Sequence, residues 1–263
     1  MARPASIFPD LVERLGTGTV IAVVGLTAVY LGGFWFLGLV MLIVGTLIWE
    51  LARMLGAPVR VASQLGLAAA AALGAARILP VGFGLPLLLL AAMAGIALLE
   101  RNRTLFLSTG SLILMSAFGL LVHRGEFGLT WMLWLVLVVA LTDIVGYFAG
   151  RLIGGPKFWP RVSPKKTWAG TTAGWVAAGI VGAIFMVATD AGAELIGISV
   201  AISMASQMGD IAESAIKRRA GVKDSSNLLP GHGGVMDRFD GMLGAALLLL
   251  LVEAVADFPP API

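Results

Sequence analysis

The chain carries nine apolar runs, each about 20 residues long and so able to cross a bilayer as a helix. They are expected over 16–33, 34–52, 61–79, 81–99, 105–122, 128–149, 168–189, 194–216 and 240–257. Inside a bilayer the backbone N–H and C=O groups find no water, so a spanning segment must satisfy them within itself, as a helix does. The fold class that follows is all-α, a polytopic integral membrane helix bundle. Composition agrees, because 59% hydrophobic and 13% charged residues leave too little polar surface to coat a soluble globule of 263 residues. The absence of cysteine excludes disulfide frameworks, thiolate zinc sites and thiol nucleophiles. The two histidines, His123 and His232, exclude a histidine-rich metal centre.

Basic residues give the orientation. With the N-terminus cytoplasmic and nine spans alternating, 16 of the 18 lysines and arginines fall on the cytoplasmic side, and only Arg77 and Arg124 fall outside. The two longest polar connections, 150–167 and 217–239, then face the cytoplasm. The opening MARPASIFPDLVERLG lacks the order of a cleavable signal peptide, so the first span is expected to stay as an anchor. The small residues of 61–79 favour close helix packing. The run 194–216 holds Ser203, Ser206, Gln207 and Asp210, so it is expected to line a polar cavity or to be broken. No internal repeat suggests a two-fold transporter architecture.

From Gln207 to Asp240 charge is dense: Asp210, Glu213, Asp224, Asp237 and Asp240 stand beside Lys217, Arg218, Arg219, Lys223 and Arg238. Carboxylates that hold a hard cation, next to cations that hold phosphate, are what a magnesium-phosphate site needs. Asp210, Ser214 and Arg218 recur at four-residue spacing, with Lys217 three after Ser214, so one helical face carries a carboxylate, a hydroxyl and two cations. An ion-pair ladder has the same spacing, but charges at a membrane helix end need a reason. Pro230, Gly231, Gly233 and Gly234 around His232 describe a tight backbone able to turn amides toward an anion. Asp237 and Asp240 share a face if the next helix has begun, and a divalent cation resolves their repulsion. His232 reads equally as an acid or base and as a hydrogen-bonding strut.

A second polar segment lies upstream. Asp143 follows a long apolar run, where a carboxylate is costly unless it meets a cation. It reads either as functional or as the partner of Arg151 about two turns on. Gly146, Gly150, Gly154 and Gly155 either loosen the helix end or pack it closely. The run Ser163-Pro164-Lys165-Lys166-Thr167 opens the seventh span with ammonium groups and hydroxyls where helix-start amides also point, which suits phosphate. The same residues fit a positive-inside anchor with Trp159 and Trp168 at the interface. No Walker-type glycine loop, nucleophile elbow or paired-histidine zinc helix competes with metal-phosphate chemistry.

The run Ser214-x-x-Lys217-Arg218, then Lys223-Asp224, then Pro230-x-His232-Gly233-Gly234-x-x-Asp237-Arg238-x-Asp240 resembles the signature of the phosphatidate cytidylyltransferases, the CDP-diacylglycerol synthases. Ser163-Pro164-Lys165-Lys166-Thr167-Trp168-x-Gly170 and the Asp143 helix resemble the family's other recurring segments, in the same order. The resemblance is specific over about 140–241, whereas the first half would fit many membrane proteins. Ala169 stands where the family often has glutamate or glutamine, and Gly241 where serine is common.

The resemblance implies an enzyme that joins CTP and phosphatidic acid to give CDP-diacylglycerol and pyrophosphate. It implies a homodimer and a Mg2+ site whose ligands map onto Asp210 and Asp237, and it admits a second, monovalent cation such as K+. A lipid phosphate oxygen would attack the α-phosphorus of CTP in line, so no protein nucleophile is needed. Asp143 and Asp240 are then expected as further ligands or partners of the metal. Lys165, Lys166, Lys217, Arg218 and Arg238 are expected to clamp the triphosphate and the lipid headgroup. Ser163, Thr167, Ser214, Lys223, Asp224 and His232 are expected to shape the site or contact the nucleotide.

Residues 1–139 are expected to serve packing and dimerisation, and 140–263 catalysis. The expected setting is a bacterial inner membrane, among membrane lipids, with the site facing the cytoplasm and no nucleic-acid partner. Two other readings share these features. A CTP-dependent lipid-alcohol kinase would release CDP rather than pyrophosphate. A membrane transporter, suggested by Asp143 and Asp210, would spread its acidic residues along a path through the bilayer.

Overall fold

The computed structural model describes residues 8–189, 191–256 and 258–259, with side chains from residue 16 onward except at 81. The reading of the N-terminal stretch, with Arg3 and the Arg14 side chain, lies outside the described residues, as does Asp190 in the turn after the seventh span. Each expected span falls on one helix: α1 (Phe8–Leu31), α2 (Gly33–Met54), α3 (Val59–Ile78), α4 (Val81–Leu98), α5 (Arg103–Glu126), α6 (Gly128–Leu152), α7 (Trp168–Ala188), α8 (Glu194–Ala220) and α9 (Met236–Val255). Six of them, α2, α3, α5, α6, α7 and α8, are long and apolar enough to cross a membrane by length and composition. Among the residues with described side chains, α1 and α4 carry the apolar stretches Gly16–Leu31 and Gly82–Leu98. The chain is an all-α membrane helix bundle.

One addition to that fold class is a small ribbon between α6 and α7. Strands β1 (Lys157–Trp159) and β2 (Ser163–Thr167) pair antiparallel, with Lys157 opposite Thr167 and Trp159 opposite Ser163. Thr167 then caps α7, its hydroxyl accepting from the Gly170 amide at 3.2 Å. The run 163–167 therefore delivers its lysines on a strand that ends at the helix start.

Successive helices pack side by side, α2 on α3, α6 on α7 and α8 on α9, while α5 packs against α2 and α9 and so joins the two ends of the chain. Small residues set how closely they approach. A Cβ on Gly170 would collide with the Gly146 carbonyl oxygen, and one on Gly209 would collide with the Asp240 carbonyl oxygen. Gly146 and Gly150 thus pack α6 on α7, whereas Gly154 (φ 68°) and Gly155 (φ 93°) turn the chain out of the helix. Val176, Ile180, Ile184 and Val187 on α7 point outward, an apolar face suited to lipid.

Several polar groups inside the bundle are paired. Thr142 meets Ser203 at 2.8 Å, Trp134 donates to Ser199 at 3.0 Å, and Trp175 donates to Gln207 at 3.0 Å. Helix α8, expected to line a cavity or to be broken, is continuous and does the former. His123 is a buried core histidine, 2.5 Å from Glu253, and ties the last turn of α5 to the last turns of α9.

Candidate active site

A cavity of about 590 Å³ opens where the ends of α6, α8 and the start of α9 meet the ribbon. It gathers Asp143, Lys165, Lys166, Thr167, Asp210, Lys217, Asp224, Asp237, Arg238 and Asp240. The two charged segments, far apart in sequence, thus form one site. Of the other expected residues, Ser163, Ser214, Arg218, Lys223 and His232 do not line it. Arg218, in the last turn of α8, and Lys223, just beyond it, are exposed, and Ser214 reaches the site only through Asp210, at 3.4 Å. His232 faces α1 instead: Nδ1 lies 3.4 Å from the Pro230 oxygen, and a Cβ on Gly18 would sit 3.7 Å from Nε2.

Carboxylates at the cavity and just behind its wall divide into two groups. Asp210, Glu213 and Asp240 offer oxygens that all lie within 4.8 Å of one another. Asp210 and Glu213 are three apart on α8, so they share a face, and the close approach of α9 at Gly209 brings Asp240 to it. Glu213 is buried, and its Oε1 has no hydrogen-bond partner among the described residues. Three grouped carboxylates with a buried, unpartnered oxygen fit a hard divalent cation, which prefers oxygen ligands.

Asp237 and Asp143 lie outside this trio. Both oxygens of Asp237 are engaged: Oδ1 takes Lys217 Nζ at 2.5 Å, and Oδ2 takes the Ser225 amide and hydroxyl, each at 2.9 Å, and the Gly234 amide at 2.7 Å. One amide of the glycine turn, that of Gly234, is therefore used on this carboxylate rather than on an external anion. Asp237 precedes the apolar stretch of α9. Burial pushes its carboxyl up, but the Lys217 hydrogen bond and the two amides outweigh burial and hold it below the usual carboxylate range. Asp143 makes no ion pair with Arg151, whose guanidinium donates to the Tyr147 hydroxyl at 2.8 Å.

Cations divide as well. Lys166 pairs with Asp210 at 2.6 Å, and Lys217 bridges Glu213 at 2.6 Å and Asp237 at 2.5 Å. Lys165, Arg238 and Arg151 line the cavity without a salt bridge among the described residues, which leaves them free to meet phosphate oxygens. Sequence reasoning gave no role to Tyr147, offered Arg151 only as a partner for Asp143, placed Gln207 only in the run expected to line a cavity, and counted Glu213 only among the dense charges. Glu213 carried a signal, since it is three residues from Asp210 on the same helix.

Carboxylates grouped for a hard cation, beside unpaired cations at one end of a membrane bundle, mark a phosphate-handling class of membrane protein. The chain belongs to the cytidylyltransferase family, whose profile matches residues 12–255. It is similar to the phosphatidate cytidylyltransferase of Brucella suis biovar 1 (strain 1330), 47% identical over 152 residues that make up 56% of either chain. To that of Bacillus subtilis (strain 168) it is 41% identical over 121 residues, 45% of either chain. To that of Staphylococcus saprophyticus it is 39% identical over 165 residues, 59% of this chain and 64% of the other. The chain spans about half the length of the curated relatives it matches.

Proposed function

We propose that the protein is a phosphatidate cytidylyltransferase, joining CTP and phosphatidic acid to give CDP-diacylglycerol and pyrophosphate. The observation that carries this reading is a cavity where Asp210 and Asp240, clustered with the buried Glu213, face Lys165 and Arg238, which have no salt bridge among the described residues. Its volume of about 590 Å³ falls in the range of small-molecule sites, so a nucleotide and a lipid headgroup suit it.

Asp210, Glu213 and Asp240 would hold Mg2+, and Asp143, not paired in the cavity, is left for a second, monovalent cation such as K+. Mg2+ there would screen the triphosphate oxygens and the charge that develops on the leaving pyrophosphate. The chain's own residues do the rest. Lys165 and Arg238 bind the phosphates and hold the α-phosphorus in line with the incoming lipid oxygen. Lys166 fixes the Asp210 carboxylate. Lys217 holds Glu213 and Asp237 at set positions, and so joins α8 to α9. No side chain need act as a nucleophile, because the lipid phosphate supplies the attacking oxygen.

The positive-inside pattern supports a cytoplasm-facing site in a bacterial inner membrane, and the resemblance supports a homodimer in which 1–139 contributes packing. The test is turnover of CTP with phosphatidic acid, with and without magnesium. Magnesium-dependent pyrophosphate release with CDP-diacylglycerol formation is expected. Release of CDP would replace this reading with a lipid kinase, and solute flux without CTP would replace it with a transporter.

A further inference from the structure

Glu50 sits in the last turns of α2, in the half of the chain far from the charged segments, and is fully buried. A carboxylate so placed is costly unless donors surround it. Arg53, three residues on, is the obvious local partner, but its guanidinium donates to the Ala57 oxygen at 2.6 Å. Among the described residues no salt bridge reaches Glu50.

All its partners come instead from 225–236. Oε1 accepts from the Ser226 hydroxyl at 2.5 Å and the Val235 amide at 2.9 Å. Oε2 accepts from the Met236 amide at 2.7 Å and lies 3.2 Å from the Ser225 hydroxyl, whose single proton is shared between Glu50 and Asp237. Met236 is the first residue of α9, and the N-cap residue, Val235, has no side-chain cap of its own. Glu50 therefore supplies from another helix the acceptor, and the negative charge, that the start of α9 lacks.

The consequence reaches the cavity in one step. The same Ser225 hydroxyl lies 2.9 Å from Asp237 Oδ2, and Asp237 holds Lys217. Arg238 and Asp240 follow on the first turns of α9. A Cβ on Gly234 would collide with the Ser225 hydroxyl and with Glu50 Oε1, so the loop packs closely on both. We propose that Glu50 is a positioning residue of the active site: it clamps the 225–236 loop and the start of α9, and thereby sets where Asp237, Arg238 and Asp240 stand. The chemistry of its partners supports this, since all four are donors. A glutamine has one acceptor oxygen, and its amide group would confront a backbone N–H.

The test compares the full chain with Glu50→Gln in detergent micelles by hydrogen exchange and by turnover. Only the turnover part rests on the proposed function. Exchange over 222–236 is expected to speed up by about tenfold or more, as loss of hydrogen bonds to a charged acceptor implies, with α5 and α6 at parent rates. The half-saturating concentrations of CTP and Mg2+ are expected to rise severalfold in addition to any fall in kcat. Parent-like exchange in the loop would overturn the proposal, and so would acceleration spread evenly over all helices. A fall in kcat alone, with both half-saturation values unchanged, would also overturn it, because a smaller folded fraction lowers only the rate. If Glu50→Gln does not fold, Ser226→Ala removes one of the four bonds and carries the same expectations in smaller measure. If the parent turns over no CTP, the proposed function fails, and the exchange comparison still decides the role of Glu50.

Discussion

Lys166 Nζ and Asp210 Oδ2 meet at 2.6 Å, and this contact joins the ribbon that precedes α7 to the carboxylate cluster on α8. Both side chains keep partial solvent access, at 22% and 31%. The pair adds little stability for that reason. Its value is in holding opposite charges side by side at the cavity wall. Replacing Lys166 with methionine should lower kcat/KM for CTP by about 10- to 100-fold while leaving the thermal midpoint near the parent's. The half-saturating Mg2+ concentration should stay level or fall, since a competing cation has gone. Steady-state kinetics over a magnesium series checks both signs.

Asp210→Asn and Asp237→Asn should behave differently. Asp210 belongs to the trio that fits a hard cation, so its amide variant should lose about 10²- to 10³-fold in rate with a parent-like unfolding midpoint. Asp237 is held by Lys217 and three loop donors, so its variant should lose both activity and stability. The stability cost should stay below the roughly 3–5 kcal/mol of a fully broken buried pair, because Glu213 still meets Lys217. Thermal unfolding in detergent beside a turnover assay separates the two cases.

Arg238 lines the cavity with no salt bridge among the described residues, so its charge is available to substrate. Arg238→Ala should raise KM for CTP and lower kcat together. Arg238→Lys should recover only part of the loss, because an ammonium cannot make the paired contacts of a guanidinium. Initial rates across CTP concentrations give the comparison.

Gly170→Ala should push α7 away from α6, since the new methyl meets the Gly146 oxygen and the Gly150 backbone. An overpacked contact of this kind costs about 1–3 kcal/mol. Because Asp143 is on α6 and Lys165 to Thr167 lead into α7, KM for CTP should rise along with the fall in thermal midpoint.

The spans are legible in sequence because an apolar helix needs no knowledge of its neighbours: length and hydropathy suffice. The carboxylates are legible for the opposite reason, since a charge among apolar residues is expensive and so stands out. What fails to show is which charges meet. Asp237 and Asp240 look alike in sequence, yet one is consumed by Lys217 and loop amides while the other joins Asp210 and Glu213. Glu50 is hidden by Arg53, which mimics a local ion pair. The ribbon at 157–167 is too short to have a period, and its pairing depends on where α6 and α7 sit. Glu213 could have been included on helical spacing alone.

The Gly146 and Gly170 contact has a mechanical meaning. Backbone presses on backbone there, with no side chain between to yield, so α6 and α7 form one stiff plate. Sliding these helices cannot admit or expel anything. Any adjustment that substrate entry asks of the site therefore falls to elements other than this helix pair.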